Sequence, residues 1–249
     1  MPLLLLRRRG LVKTVRFKNA AYVGDPINTV RIFNEMEVDE LVFLDITATP
    51  ENKVPQFDLI EEIACECFMP FAYGGGLRTV EDIQRLFDLG AEKAILNTAA
   101  YRNPALVTEA ARRFGSQSII VSIDARRNLW GRHQVYVNGG RENTKLDPAE
   151  LALRMSQVGA GEILITSIDR DGTFSGYDVE LTQRVAAAVS VPVIASGGAG
   201  TLQDFQTVVT KGQAAAVAAG SLFVYQGAHR AVLINYPPIE KLERLFKKL

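Results

Sequence analysis

Asp124 is the residue best placed to do chemistry. It ends the run Ile119-Ile120-Val121-Ser122-Ile123-Asp124, an apolar, β-branched stretch that reads as a strand with a carboxylate at its tip. A carboxylate there takes and returns protons if its pKa is tuned toward neutrality; a helix cap or a loop salt bridge is the competing role. Two glycine clusters accompany it. Gly74-Gly75-Gly76 precedes a helical pattern near Thr79, and Ser196-Gly197-Gly198-Ala199-Gly200 precedes one near Thr201. Glycines let backbone approach an anion, and helix N-termini offer N–H donors. Asn97-Thr98 and Gly220-Ser221 end the strands that follow each cluster and add polar donors. Sharp turns alone would explain one Gly-Gly pair. Two matching clusters point to an elongated ligand with a phosphate at each end and chemistry at the centre.

Further polar groups surround this scheme. Asp45 lies on a candidate strand, and Asp169-Arg170-Asp171-Gly172-Thr173 follows another. Asp169 is a candidate to orient substrate hydroxyls and Gly172 to give a backbone N–H to phosphate. Lys13, read as lying in a loop, either meets an anion or is a solvated charge. Glu40, Lys93 and Glu162 stand at strand starts, at the end of the molecule opposite Asp124. They form either an ordinary charged rim or a gate for a small molecule arriving from a partner below. Cys65 and Cys67 sit two apart in a helical pattern, and the only histidines are His133 and His229. Neither set matches metal-ligand spacing, so no metal is expected, and no cofactor.

The elements that must position these groups recur along the chain. Candidate strands are 3–6, 41–46, 70–73, 93–97, 118–123, 162–167, 192–196 and 214–219, with amphipathic stretches between them such as Val80-Glu81-Asp82-Ile83-Gln84-Arg85-Leu86-Phe87. Eight strand–helix alternations predict an α/β parallel sheet closed into a (β/α)₈ barrel; a doubly wound open sheet is the alternative. The 249 residues match one such barrel, so residues 1–249 are read as a single domain. The chain also repeats itself. Shifting by 122 positions lays Pro70 on Pro192, Gly75-Gly76 on Gly197-Gly198, Thr79 on Thr201 and Asp82 on Asp204. Two similar half-barrels explain this, and their symmetry puts equivalent sites on opposite sides of the mouth.

Composition excludes other classes. Lys plus Arg and Asp plus Glu number 28 each, which gives no electrostatic support for a nucleic-acid partner. The apolar opening Leu3-Leu4-Leu5-Leu6 is too short for a membrane span, and Arg7, Arg8 and Arg9 follow it, the wrong order for a secretory signal. A cytoplasmic, reducing location is expected.

Taken together, the chain resembles the cyclase subunit of imidazole glycerol phosphate synthase, the HisF family of histidine biosynthesis. The resemblance runs from about residue 10 to about residue 224. It is carried by Asp39-Glu40-Leu41-Val42-Phe43-Leu44-Asp45-Ile46-Thr47, by residues 161–173 (Gly-Glu-Ile-Leu-Ile-Thr-Ser-Ile-Asp-Arg-Asp-Gly-Thr) and by Ala195-Ser196-Gly197-Gly198-Ala199-Gly200. It implies a glutaminase subunit docked at the N-terminal face of the barrel. Ammonia would pass through the core to a bisphosphate substrate, giving imidazole glycerol phosphate and an aminoimidazole carboxamide ribotide. It also implies that Asp124 is one of two catalytic aspartates. Gly75, Gly76, Asn97 and Thr98 would bind one phosphate; Gly172, Gly198, Gly220 and Ser221 the other; Glu40, Lys93 and Glu162 would match the gate. The position matching the family's other catalytic aspartate is Leu5, and residues 223–238 differ from the family's usual ending. These departures resemble a divergent branch linked to ammonia delivery for amidating a sugar in bacterial surface-polysaccharide (lipopolysaccharide) biosynthesis. A non-catalytic ammonia conduit is the further alternative.

Overall fold

The computed structural model describes residues 1–227 and 229–247. Eight parallel strands run in order around it: β1 Leu3–Arg7, β2 Leu41–Asp45, β3 Phe71–Gly74, β4 Lys93–Leu96, β5 Ile119–Arg127, β6 Glu162–Ser167, β7 Val193–Ser196 and β8 Ala216–Ala218. The last returns to the first. Pro2 bridges Ala219 in parallel, and the Leu3 N–H donates to the Ala219 carbonyl at 2.9 Å. The sheet is therefore a closed (β/α)₈ barrel and not an open doubly wound sheet.

Two apolar layers follow from strand alternation, because successive side chains point to opposite faces. Leu3, Leu5, Val42, Ala72, Ile95, Ile120, Leu164, Ile194 and Ala218 fill the interior of the barrel. Their neighbours Leu4, Leu6, Phe43, Tyr73, Leu96, Val121 and Ile163 face the helices. The longer helices are α1 Pro26–Glu35, α2 Phe57–Glu66, α3 Val80–Asp88, α4 Pro104–Phe114, α5 Pro148–Gln157, α6 Val179–Ala186, α7 Leu202–Thr210 and α8 Ile239–Phe246, and single turns of helix at Thr98–Arg102 and Ser221–Val224 follow β4 and β8. Asp25, Asp147 and Asp178 cap α1, α5 and α6 by accepting from first-turn N–H groups. No helix among the described residues is long and apolar enough to cross a membrane.

The internal repeat is physical. At the starts of α3 and α7 the same pair recurs: Asp82 accepts from the Thr79 N–H and Asp204 from the Thr201 N–H, as in a capping box. The ladders agree: Leu5 lies beside Leu44 on β1–β2, and Asp124 lies beside Thr166 on β5–β6. Leu44 and Thr166 are 122 positions apart, so Leu5 is the counterpart of Asp124 in the first half.

Two antiparallel additions were not expected from the sequence. Gly10–Val15 folds back from β1 and pairs with Lys18–Gly24. β5 continues past Asp124 to Arg127 and pairs with His133–Val137, which pairs in turn with Glu142–Asn143. His133 pins this second hairpin to α6, its buried Nε2 lying 3.0 Å from Asp178 Oδ2. After β8 the chain forms a small two-stranded ribbon, Tyr225–Gln226 with Ala231–Val232, and Tyr236 stacks on Phe223 with ring centroids 5.1 Å apart.

Candidate active site

A cavity of about 640 Å³ opens at the C-terminal ends of the strands. Asp124 lines it and is 9% exposed. It does not end its strand, as the sequence suggested; the strand runs on three residues and folds over the mouth. Asn97 holds the carboxylate, its Nδ2 donating to Asp124 Oδ2 and to the Ser122 carbonyl, both at 3.0 Å. Burial pushes the Asp124 pKa up to about 7; the Asn97 hydrogen bond opposes this and the charge of Asp171 adds to it. Asp124 is thus poised to exchange a proton near neutral pH.

The inward-facing side chains divide the cavity into two walls. Strands β5 to β7 present Ser122, Asp124, Thr166 and Ser196. Across the barrel, β1 and β2 present Leu3, Leu5, Leu44 and, just beyond β2, Ile46.

The two glycine clusters also differ. Gly75 and Gly76 line the cavity together with Thr98, and Arg7, Lys18, Arg78, Arg102 and Arg141 line it as well. Gly75 has φ +122°, and a side chain there would meet the Asp45 carbonyl at 2.6 Å. Among the described residues, neither glycine N–H donates a backbone hydrogen bond outside the helices and strands, which leaves both free for an anion. Arg102 is tied to Glu142 at 2.8 Å, and Arg78 Nη2 donates to the Lys53 carbonyl at 3.2 Å. These arginines escaped the sequence reading because nothing in their spacing set them apart from surface charges.

In the second half Gly172, Gly197, Gly198, Gly220 and Ser221 do not line this cavity; the first hairpin covers part of their cluster. A side chain at Gly172 would strike the Thr14 carbonyl, and one at Gly220 would come within 3.2 Å of the Lys13 side chain. Gly198, at φ +114°, packs so closely on the Gly176 carbonyl that the fold itself requires a glycine there. The Ser221 and Ser167 hydroxyls are nevertheless buried beside this cluster with no partner among the described residues, an unmet hydrogen-bonding demand.

Other expectations are corrected by the contacts. Lys13 is not in a loop but on a strand, 7% exposed, with its ammonium 2.7 Å from Asp171 Oδ1. Asp171 Oδ2 also accepts from Thr14 at 2.9 Å, so this carboxylate clamps the first hairpin. Asp45 reaches the cavity wall, yet its oxygens accept from Thr47, Ala48 and Gln56, and its main work is to shape the loop after β2. Asp169 accepts from the Arg127 N–H at 2.8 Å and lies outside the cavity lining. The N-termini of α3 and α7 are not free for an anion. Asp82 Oδ2 takes the N–H groups of Arg78 and Thr79, and Asp204 Oδ2 those of Gly200 and Thr201.

At the opposite end of the barrel the three charged residues do meet. Lys93 Nζ lies 3.3 Å from Glu40 Oε1 and 3.0 Å from Glu162 Oε1, all three side chains being about one-fifth exposed. Burial works against the Lys93 charge, but the Glu162 hydrogen bond and the Glu40 charge outweigh it and hold the pKa above the ordinary lysine value.

The chain's sequence matches known proteins. The family model described as "Histidine biosynthesis protein" matches residues 1–230. The chain belongs to this histidine biosynthesis family. It is 51% identical over 243 residues to the Pseudomonas aeruginosa protein named "Putative imidazole glycerol phosphate synthase subunit hisF2", covering 98% of this chain and 97% of that one. It is 48% identical over 225 residues to "Imidazole glycerol phosphate synthase subunit HisF" of Alkaliphilus metalliredigens, covering 90% and 89%. A Vibrio vulnificus relative, "Putative imidazole glycerol phosphate synthase subunit hisF3", is 45% identical over 247 residues, covering 98% and 95%. The family resemblance read from residues 39–47, 161–173 and 195–200 is borne out, and with it the barrel.

Proposed function

We propose that this barrel is an ammonia-dependent cyclase of the imidazole glycerol phosphate synthase type, working in the cytoplasm beside a glutaminase subunit. Ammonia released by that subunit enters at the N-terminal face, passes the Glu40–Lys93–Glu162 bridge and reaches the mouth. There one phosphate of an elongated bisphosphate is held at Gly75, Gly76, Asn97 and Thr98, and the other is assigned to Gly172, Gly198, Gly220 and Ser221, which lie outside the cavity lining and partly under the first hairpin, with the Ser221 hydroxyl unpartnered among the described residues. Ring closure and cleavage then yield imidazole glycerol phosphate and aminoimidazole carboxamide ribotide, with Asp124 moving the proton. The observation that carries this reading is Asp124 itself: a buried carboxylate in the cavity wall, held by Asn97, with its pKa pushed up to about 7.

One observation favours a second reading. Leu5 stands where symmetry would put the partner of Asp124, and a leucine transfers no proton. The same barrel would then serve another ammonia acceptor, such as a sugar destined for a surface polysaccharide. A cyclisation assay decides between them. The barrel is given ammonium salt and the histidine-pathway bisphosphate, and imidazole glycerol phosphate is followed. Turnover abolished by Asp124→Asn supports the cyclase. Tight binding of the bisphosphate without turnover moves the reaction to another acceptor.

A further inference from the structure

The unequal walls of the cavity carry an inference about the ligand. Leu3 and Leu5 are 6% and 7% exposed, and with Leu44 and Ile46 they make one side of the cavity apolar. Arg7 at the outer end of β1 and Lys18 line the rim of the same cavity, while the buried cation on the hairpin, Lys13, is neutralised by Asp171 at 2.7 Å. A charged group seated directly on Leu3, Leu5, Leu44 and Ile46 would lose much of its water against apolar side chains. Facing it, Ser122, Thr166 and Ser196 offer hydroxyls beside Asp124. Arg78, whose guanidinium donates to the Lys53 carbonyl beside Gly76, lies at the Gly75–Gly76 end, and Arg102 and Arg141 line the cavity too.

We propose that Leu5, with Leu44 and Ile46, determines specificity: the cavity takes a phosphate ester whose body is an uncharged ring, one face on the leucines and its polar edge toward Ser122 and Thr166. The inference rests on reading the Gly75–Gly76 cradle as a phosphate site, and it extends that reading to the body of the ligand. A bisphosphate whose central, reacting portion carries charge near β1 would be disfavoured.

The test is calorimetric titration of the full chain with inorganic phosphate, glycerol phosphate and phenyl phosphate. A phenyl ring laid on the leucines should bind about tenfold tighter than glycerol phosphate. Leu5→Asp should shrink that preference to about twofold or less, with binding of inorganic phosphate unchanged. Leu44→Ser, a milder change in the same wall, should move the ratio in the same direction, and circular dichroism melting confirms that each variant is folded. Equal affinity of the two esters for the unaltered protein, or a ratio indifferent to both variants, overturns the inference and leaves the phosphate site standing. Failure of all three ligands to bind overturns the phosphate reading itself, and the inference with it.

Discussion

The wall made by β1 and β2 and the wall made by β5 and β6 occupy equivalent places in the two halves of the barrel, yet they have parted chemically. Leu5 answers to Asp124 and Leu44 to Thr166. The capping boxes at Thr79 and Thr201 have not parted, nor have the glycines at 75, 76, 197 and 198. The difference follows from what each residue touches. A capping box satisfies orphan helix donors and stabilises its helix by about 1 kcal/mol, so its loss is felt in folding. A side chain that faces an open cavity carries no such duty, and its identity answers only to the ligand. The two halves therefore share what the fold requires and differ in the side chains that face the cavity.

The sharpest way to break this comparison is to remove the one acid–base group that it assigns. Asp124→Asn keeps the shape and the Asn97 contact but cannot exchange a proton. Whatever reaction the barrel performs should fall by about 10²–10⁴-fold. Full activity in this variant would take Asp124 out of the chemistry. A stability measurement accompanies it. The folded-state pKa of about 7 lies above the ordinary carboxylate value of 3.8, so folding favours the protonated form. The stability tied to this group is complete below pH 4 and is lost as pH rises through 7. Asp124→Asn should accordingly melt higher than the unaltered protein at pH 8, with the gap narrowing toward pH 4.

The converse change restores the lost symmetry. Leu5→Asp places a second carboxylate across the cavity from Asp124. If the barrel is a cyclase working with one acid–base group, turnover in the cyclisation assay should rise by about tenfold, a fraction of what a well-placed catalytic group provides. Unchanged or lower turnover would mean that the apolar wall belongs to the ligand and not to a decayed site.

A third change addresses the far end of the barrel. Lys93→Met leaves Glu40 and Glu162 facing each other without their shared cation. Removing one partner from a partly buried cluster should destabilise the protein by about 1–3 kcal/mol, read by denaturant unfolding. In the ammonia reading, turnover with glutamine and the partner subunit should fall several-fold more than turnover with added ammonium. Equal losses on both nitrogen sources would reduce this bridge to a structural one.

Much of the barrel was legible in advance because its signals are local. The run 162–167 matches β6 residue for residue, since a β-branched stretch bounded by glycine and a polar turn has one reading. Asp124 was legible for the same reason, as a charge at the end of an apolar run. The hairpins were not. Gly10–Val15 holds its place through Leu5–Val12 pairing and the Lys13–Asp171 contact, 158 residues apart in the chain, which no window of sequence displays. That contact also turned Lys13 from a free cation into a neutralised one. Asp82 and Asp204 were visible as repeat partners, but that their carboxylates would fill the helix N-termini depended on turn geometry. Arg78 and Arg141 on loops and Arg102 at the end of the short helix Thr98–Arg102 come to one cavity only in the fold.

The smallest effect concerns one of those arginines and tests whether the two ends of the cavity differ in charge as well as in polarity. Arg102 is largely exposed and bonded to Glu142, so the pair should contribute no more than about 1 kcal/mol to stability. In the phosphate reading proposed above, its worth would lie instead in the positive field it adds to the cavity. Arg102→Gln should weaken phenyl phosphate and inorganic phosphate alike by about two- to fivefold, an effect that fades as salt screens the site. The ratio between phenyl and glycerol esters should not change, because that ratio is set by Leu5 on the opposite wall. A change in the ratio would mean that the cationic cradle and the apolar wall do not act on separate parts of the ligand, and the division of the cavity into an anchoring end and a selecting wall would fall.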